Sequence, residues 1–188
     1  MNATAEAIAA APSSGRKAVQ VFVLVGRLVL AGIFLFAAYS KMKPQIPVPW
    51  SVSSVKTSLS MFAMQVDSYQ MLPASQVLRV AHLLPPFELL LGLWLLSGIA
   101  VRYSALLTTL VLTGFFGLMI RTYALGLAIN CGCFGTSEQV GPRKVFEDGS
   151  FFAFSVALTV AAFWLHHKSR QASVSAAPAA AIAPQGSR

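Results

Sequence analysis

Cys131 and Cys133 are the chain's two cysteines, and they flank a single glycine in the run Ile129-Asn130-Cys131-Gly132-Cys133-Phe134-Gly135. Two thiols this close can form a disulfide where the loop is not helical. Gly132 permits the backbone angles that so small a ring needs. A ring this tight is expected to be strained, and strained, exposed disulfides are the reducible, catalytic kind. Arg79, His82 and Arg121 fall at the same interface and would favour a thiolate. Reversible thiol–disulfide exchange is therefore the leading chemistry for Cys131 and Cys133. Two other uses stay open: a static disulfide that staples the loop, and ligation of a metal or cofactor. A structural zinc takes four ligands, and the chain offers two sulfurs with only His82 near enough to join. His166 and His167 belong to the far end of the last apolar run, roughly 30 Å away across hydrocarbon. No metal site is expected.

The elements that hold this loop are written in the composition. The chain has 188 residues, of which 56% are hydrophobic and 11% charged; its mean hydropathy is +0.67. A soluble domain carries about 25% charged residues, so much of this surface faces lipid. The formal charge of +8 comes from basic residues scattered over the ends of apolar segments, in no run longer than a pair. That is the membrane-protein pattern, and nucleic-acid binding is excluded by the lack of a basic stripe.

Along the chain, residues 1–18 and 167–188 are rich in Ala, Ser and Pro and read as disordered tails around a membrane domain over 19–166. The apolar run 19–39 is about 31 Å long as a helix, enough to cross the hydrocarbon. It exceeds the apolar core of a signal peptide, and Ala37-Ala38-Tyr39 is a poor cleavage site. Pro44, Pro47 and Pro49 forbid its continuation. Val52, Val55, Leu59, Phe62, Val66 and Tyr69 then recur at helical spacing over about 51–70. This stripe predicts an amphipathic helix, too polar to span, lying along the interface or capping the bundle. Further spans are expected at about 75–98, running through Pro85 and Pro86, at 103–122 and at 149–165. The predicted fold is all-α: a four-transmembrane-helix bundle with one interfacial helix between the first and second spans.

Charges inside spans are costly and face the bundle interior or a cavity. Glu88 and Arg27 are such residues. An ion pair between them, or one joining Glu88 to Lys41, is the structural reading; a proton or quinone-headgroup site beneath the cysteine loop is the functional one. Trp50, Trp94, Trp164, Tyr39, Tyr103 and Tyr123 fall near span ends as interfacial anchors. Four spans put both tails on one side of the membrane and the cysteines on the other. Lys and Arg counts do not separate the sides, but Arg16-Lys17 ahead of the first span favours cytoplasmic tails. Thiol pairs also suit an oxidising compartment. The expectation is a multi-pass protein of a bacterial inner membrane with a periplasmic cysteine loop.

An ordered set of motifs carries a resemblance. Gly26-Arg27 and Ser40-Lys41 are followed by Tyr69-Gln70-Met71-Leu72-Pro73 and Leu84-Pro85-Pro86-Phe87-Glu88-Leu89, then Gly92, Ser97-Gly98 and Cys131-Gly132-Cys133-Phe134-Gly135. Over about residues 19–165 the chain resembles the DoxX-like membrane proteins, and the last motif points to their methylamine-utilisation MauE branch. That resemblance implies a four-helix membrane bundle that supports maturation of a disulfide-rich periplasmic enzyme subunit, of the amine-dehydrogenase kind, beside a thioredoxin-like partner. It brings in a quinone as the one candidate cofactor. Gly132, Phe134, Gly135, Glu88, Arg27 and Lys41 of these motifs, with Arg121 from the charge reading above, are the expected supporting residues around the cysteines. The competing class is a non-catalytic anchor or assembly subunit of a DoxX-type redox complex.

Overall fold

A computed structural model describes residues 14–44, 49–127, 129 and 139–181. Five helices occur among the described residues: α1 (Ser14–Met42), α2 (Val52–Ser68), α3 (Ala74–Ser97), α4 (Val101–Ala124) and α5 (Pro142–Ala181). All except α2 are long and apolar enough to cross a membrane. The chain is an all-α membrane protein.

Local sequence explains the ends. Ser51 caps α2: its hydroxyl accepts the Ser54 N–H at 3.1 Å, and the Ser54 hydroxyl accepts the Ser51 N–H at 2.9 Å. This reciprocal box satisfies two donors that a helix start leaves open. Helix α3 begins at Ala74 behind Pro73 and continues through Pro85 and Pro86. It stops at Gly98, whose φ of 69° is left-handed and suits a residue without Cβ. The three-residue turn to α4 is braced by the Trp94 indole, which donates to the Ile99 carbonyl at 2.9 Å.

Helix α5 departs from expectation at both ends. It begins at Pro142 rather than near 149, so Lys144, Glu147 and Asp148 are helical rather than in a loop. Proline at the first helical position lacks only an N–H that would have no partner there. The helix also runs to Ala181, through part of the segment read as a disordered tail. Ala, Gln, Lys and Arg in that segment are good helix formers.

Three contacts set the register between α1 and α3. Lys41 meets Glu88, Leu35 meets Gly92, and Arg27 meets Gly98. Falling numbers against rising ones make the pair antiparallel. Thr109 with Thr159 and Phe116 with Phe152 do the same for α4 and α5. Helix α1 is central, packing on both α3 and α5, while α3 and α4 meet far less. Leu30 and Phe34 of α1, Leu91 and Leu95 of α3, Ala105 of α4 and Leu158 of α5 fill the main core. Gly26 and Gly92 admit the neighbouring helices: a Cβ at Gly26 would lie 2.8 Å from Leu158, and one at Gly92 would lie 2.9 Å from Leu35. Small residues set approach distances in lipid, where no hydrophobic force draws helices together.

Helix α2 folds over the open end of this arrangement. Phe62 and Ala63 pack on Val77 and Ala81 of α3, and the Ser58 hydroxyl donates to the Lys43 carbonyl at 3.0 Å. The apolar stripe is buried only at its centre: Leu59 and Phe62 are covered, whereas Val52 is exposed. Leu83, Leu90 and Val160 project outward from the spans, as lipid-facing side chains do. The six aromatic anchors are all exposed or half-exposed, five of them near helix ends and Trp164 in the middle of the extended α5, with Tyr39 stacked on Trp50 at 6.0 Å.

Candidate functional site beneath the cysteine loop

The end of the bundle capped by α2 carries the cysteine loop. Cys131, Gly132, Cys133, Phe134 and Gly135 lie outside the described residues. The flanks of the loop are described. Helix α4 ends at Ala124 with Gly126 left-handed (φ 64°), and the Val140 N–H donates to the Ile129 carbonyl at 2.9 Å. The chain therefore leaves and re-enters the bundle at one point. Arg121, in the last turn of α4, donates to the Tyr69 carbonyl at 3.3 Å and so ties the loop-bearing end of α4 to the end of α2. Arg79 is exposed on the first turns of α3, and the His82 ring is held on the Leu78 carbonyl at 2.8 Å.

Below this end sits a buried ion pair. Lys41 Nζ lies 2.8 Å from both Glu88 carboxylate oxygens, with side chains 2% and 3% exposed. Three sequence features bring them together. Lys41 occupies the last turn of α1, where a cation suits the negative helix end. Glu88 follows Pro85 and Pro86 on the face of α3 that carries Ala81, Leu91 and Leu95 into the protein. The Phe62 ring of α2 lies 5.5 Å from the ammonium and covers it. Desolvating both charges is expensive, and bidentate geometry is what makes the pair tolerable.

Arg27 takes no part in this pair. It packs against Gly98 at the opposite end of α3, ten residues or about 15 Å of helix from Glu88. Of the two partners the sequence allowed for Glu88, the structure selects Lys41.

Two cavities meet at Lys41. One, of about 50 Å³, is bordered by Glu88, Leu112, Phe116, Phe151 and Asp148, and has room for one or two waters. Asp148 was absent from the sequence-derived candidates because it reads as part of a polar loop. Inside α5 it faces the Lys41–Glu88 pair across this space. Its Oδ1 is 3.9 Å from Lys144 Nζ, and its buried Oδ2 makes no hydrogen bond among the described residues. The Lys144–Asp148 spacing of four, just behind Pro142, was the available clue. The second cavity, of about 470 Å³, opens between α3 and α4 under α2 and is almost wholly apolar.

The sequence matches the family model of the methylamine utilisation protein MauE over residues 19–167. The chain belongs to the MauE family. The match takes in the four spans, the buried pair and the cysteine loop alike, from just inside α1 to the middle of α5. The protein is thus a multi-pass membrane protein of a family named for methylamine utilisation. No curated protein and no solved structure matches it. The MauE match therefore names the kind of protein, and the arrangement of Lys41, Glu88 and Asp148 comes from this chain's own structure.

Proposed function

We propose that this MauE-family protein carries out thiol–disulfide exchange through Cys131 and Cys133, in support of the maturation of a periplasmic, disulfide-rich redox protein. A client thiolate attacks one sulfur of the Cys131–Cys133 disulfide and releases the other as a thiolate. The client's second thiolate then closes its own disulfide, leaving Cys131 and Cys133 as a dithiol. The dithiol returns to the disulfide by the same exchange with the disulfide of a thioredoxin-like partner, so two electrons pass from client to partner. The observation that carries the reading is the chain's whole thiol content placed in one Cys-Gly-Cys run. Support also comes from the described flanks of that run, where the Ile129–Val140 hydrogen bond closes the loop base. The DoxX-like resemblance and an inner-membrane location with the loop in the periplasm belong to the same proposal.

Exchange through a mixed disulfide predicts that removing one sulfur lets the other trap its partner. Either Cys131→Ser or Cys133→Ser should accumulate a reductant-sensitive adduct on a non-reducing gel, and the double variant none. A double variant that supports full client oxidation at normal abundance would remove the redox role and leave a non-catalytic anchor subunit.

A further inference from the structure

Charge in this protein is sorted along the membrane normal. The described acidic side chains, Asp67, Glu88, Glu147 and Asp148, lie at the level of the Lys41–Glu88 pair or nearer the cysteine loop. The tail side gathers Arg16, Lys17 and Arg27 of α1, Arg102 of α4 and Lys168 of α5, and no acidic side chain among the described residues. Cations in the headgroup layer at span ends are ordinary. Arg27 is a different case. Its guanidinium lies inside the bundle, where a Cβ on Gly98 would project, and its buried Nε makes no hydrogen bond among the described residues. A charge held there calls for a partner, and Glu88 is already taken by Lys41.

The surroundings of Arg27 add donors rather than an acceptor. Arg102 enters α4 four residues past Gly98 and lays the face of its guanidinium on the Tyr103 ring at 4.5 Å. A guanidinium stacked in this way keeps its edge N–H groups for another acceptor. Helix α4 starts behind Ala100 without a side-chain cap. The Tyr103 and Ser104 N–H groups both donate to the Ala100 carbonyl, which leaves Val101 and Arg102 as the open donors of the first turn. An uncapped helix start of this kind favours an anion. On α5, His166 Nε2 is buried without a hydrogen bond among the described residues, as is Arg16 Nε on α1. His166 is also near enough to feel the charge of Arg102. Like charges gathered at one level repel unless an anion joins them.

We propose that Arg27, Arg102 and the open N–H groups of α4 bind the phosphodiester of an anionic phospholipid from the leaflet on the tail side. The α3–α4 turn is three residues long, while α1 runs back from Arg27 to Ser14 and α5 runs on past His166. The turn is therefore recessed between two longer helices, and a headgroup fits over it. Leu28, beside Arg27, is exposed and apolar, so acyl chains lie next to the guanidinium. The two free oxygens of a diester match the guanidinium fork. A zwitterionic lipid would bring a second ammonium toward Arg102 and Lys168, so the site selects a headgroup with net negative charge. This binding goes beyond the thiol exchange proposed above and requires neither cysteine.

The test uses the full chain in maltoside micelles, titrated with dioleoylphosphatidylglycerol and read by native mass spectrometry. One lipid per chain should bind saturably, and dioleoylphosphatidylcholine should bind at least about tenfold more weakly. Arg27→Gln should lower the phosphatidylglycerol affinity by about tenfold or more. Lys17→Gln is the control: it removes one charge from an exposed residue on the same side and should bind as the parent does. Equal binding of the two lipids, unchanged affinity in Arg27→Gln, or an equal loss in Lys17→Gln reduces the binding to diffuse attraction and overturns the site. Displacement of the lipid by millimolar inorganic phosphate overturns the lipid assignment in favour of a free anion. Should Arg27→Gln fail to fold, Arg102→Gln decides. A loss of roughly three- to tenfold with unchanged melting supports the proposal, and unchanged affinity refutes it.

Discussion

Lys41 and Glu88 stand 47 residues apart in the chain and meet as a bidentate pair at 2.8 Å, Lys41 from the last turn of one span and Glu88 from the middle of the next. Their union fixes the depth of α1 against α3; both side chains border the small cavity, and Lys41 also borders the large one. Removing one partner leaves the other charged and buried, at a cost of about 3–5 kcal/mol.

Glu88→Met alone should therefore lower the amount of folded protein in the membrane and its melting temperature in detergent. The Lys41→Met, Glu88→Met double variant should recover most of both, since apolar replacement of a whole buried pair is often neutral. If Glu88→Met keeps full abundance and stability while client oxidation falls, the pair belongs to the chemistry and not to the scaffold.

Gly98 is constrained twice, by a φ of 69° and by the Arg27 guanidinium lying where a Cβ would project. Gly98→Ala should cost roughly 1–2 kcal/mol from the backbone alone, with more from displacing Arg27. Thermal melts of Gly98→Ala with and without Arg27→Ala separate the two. The destabilisation should shrink, but not vanish, when Arg27 is shortened.

Two glycines should respond with opposite signs. Gly92→Ala places a Cβ 2.9 Å from Leu35 Cγ and 3.3 Å from the Ala31 carbonyl, and backbone cannot move aside as a flexible side chain can. A loss of about 1–3 kcal/mol is expected from overpacking. Gly32→Ala meets nothing within 4 Å and should be neutral or stabilising by up to about 1 kcal/mol. Equal effects in denaturant titrations would refute the close α1–α3 approach.

The proposed orientation is checked by accessibility. After mild reduction, a membrane-impermeant thiol reagent should label Cys131 and Cys133 in intact spheroplasts. Labelling only after the membrane is broken would reverse the topology and take the cysteines away from any periplasmic client.

Span number, the amphipathic α2 and most helix boundaries are legible in the chain because they rest on local properties. An apolar run either is or is not long enough to cross hydrocarbon, and Ser51, Pro73 and Gly98 mark starts and stops through their own backbone chemistry. The Cys-Gly-Cys run is visible for the same reason, its two thiols being neighbours in sequence. What Glu88 pairs with is not local. Arg27 and Lys41 lie on the same helix, and only the depth and rotation of α1 against α3, set by close contacts such as Leu35 on Gly92, decide which one arrives. Asp148 was hidden because Pro142 starts a helix through a polar stretch that reads as loop, and that extra helix carries the carboxylate to the small cavity. The gap between α3 and α4 is likewise absent from any one segment. It exists because α1 takes α3 while α5 takes α4, so two helices joined by a three-residue turn part company above it.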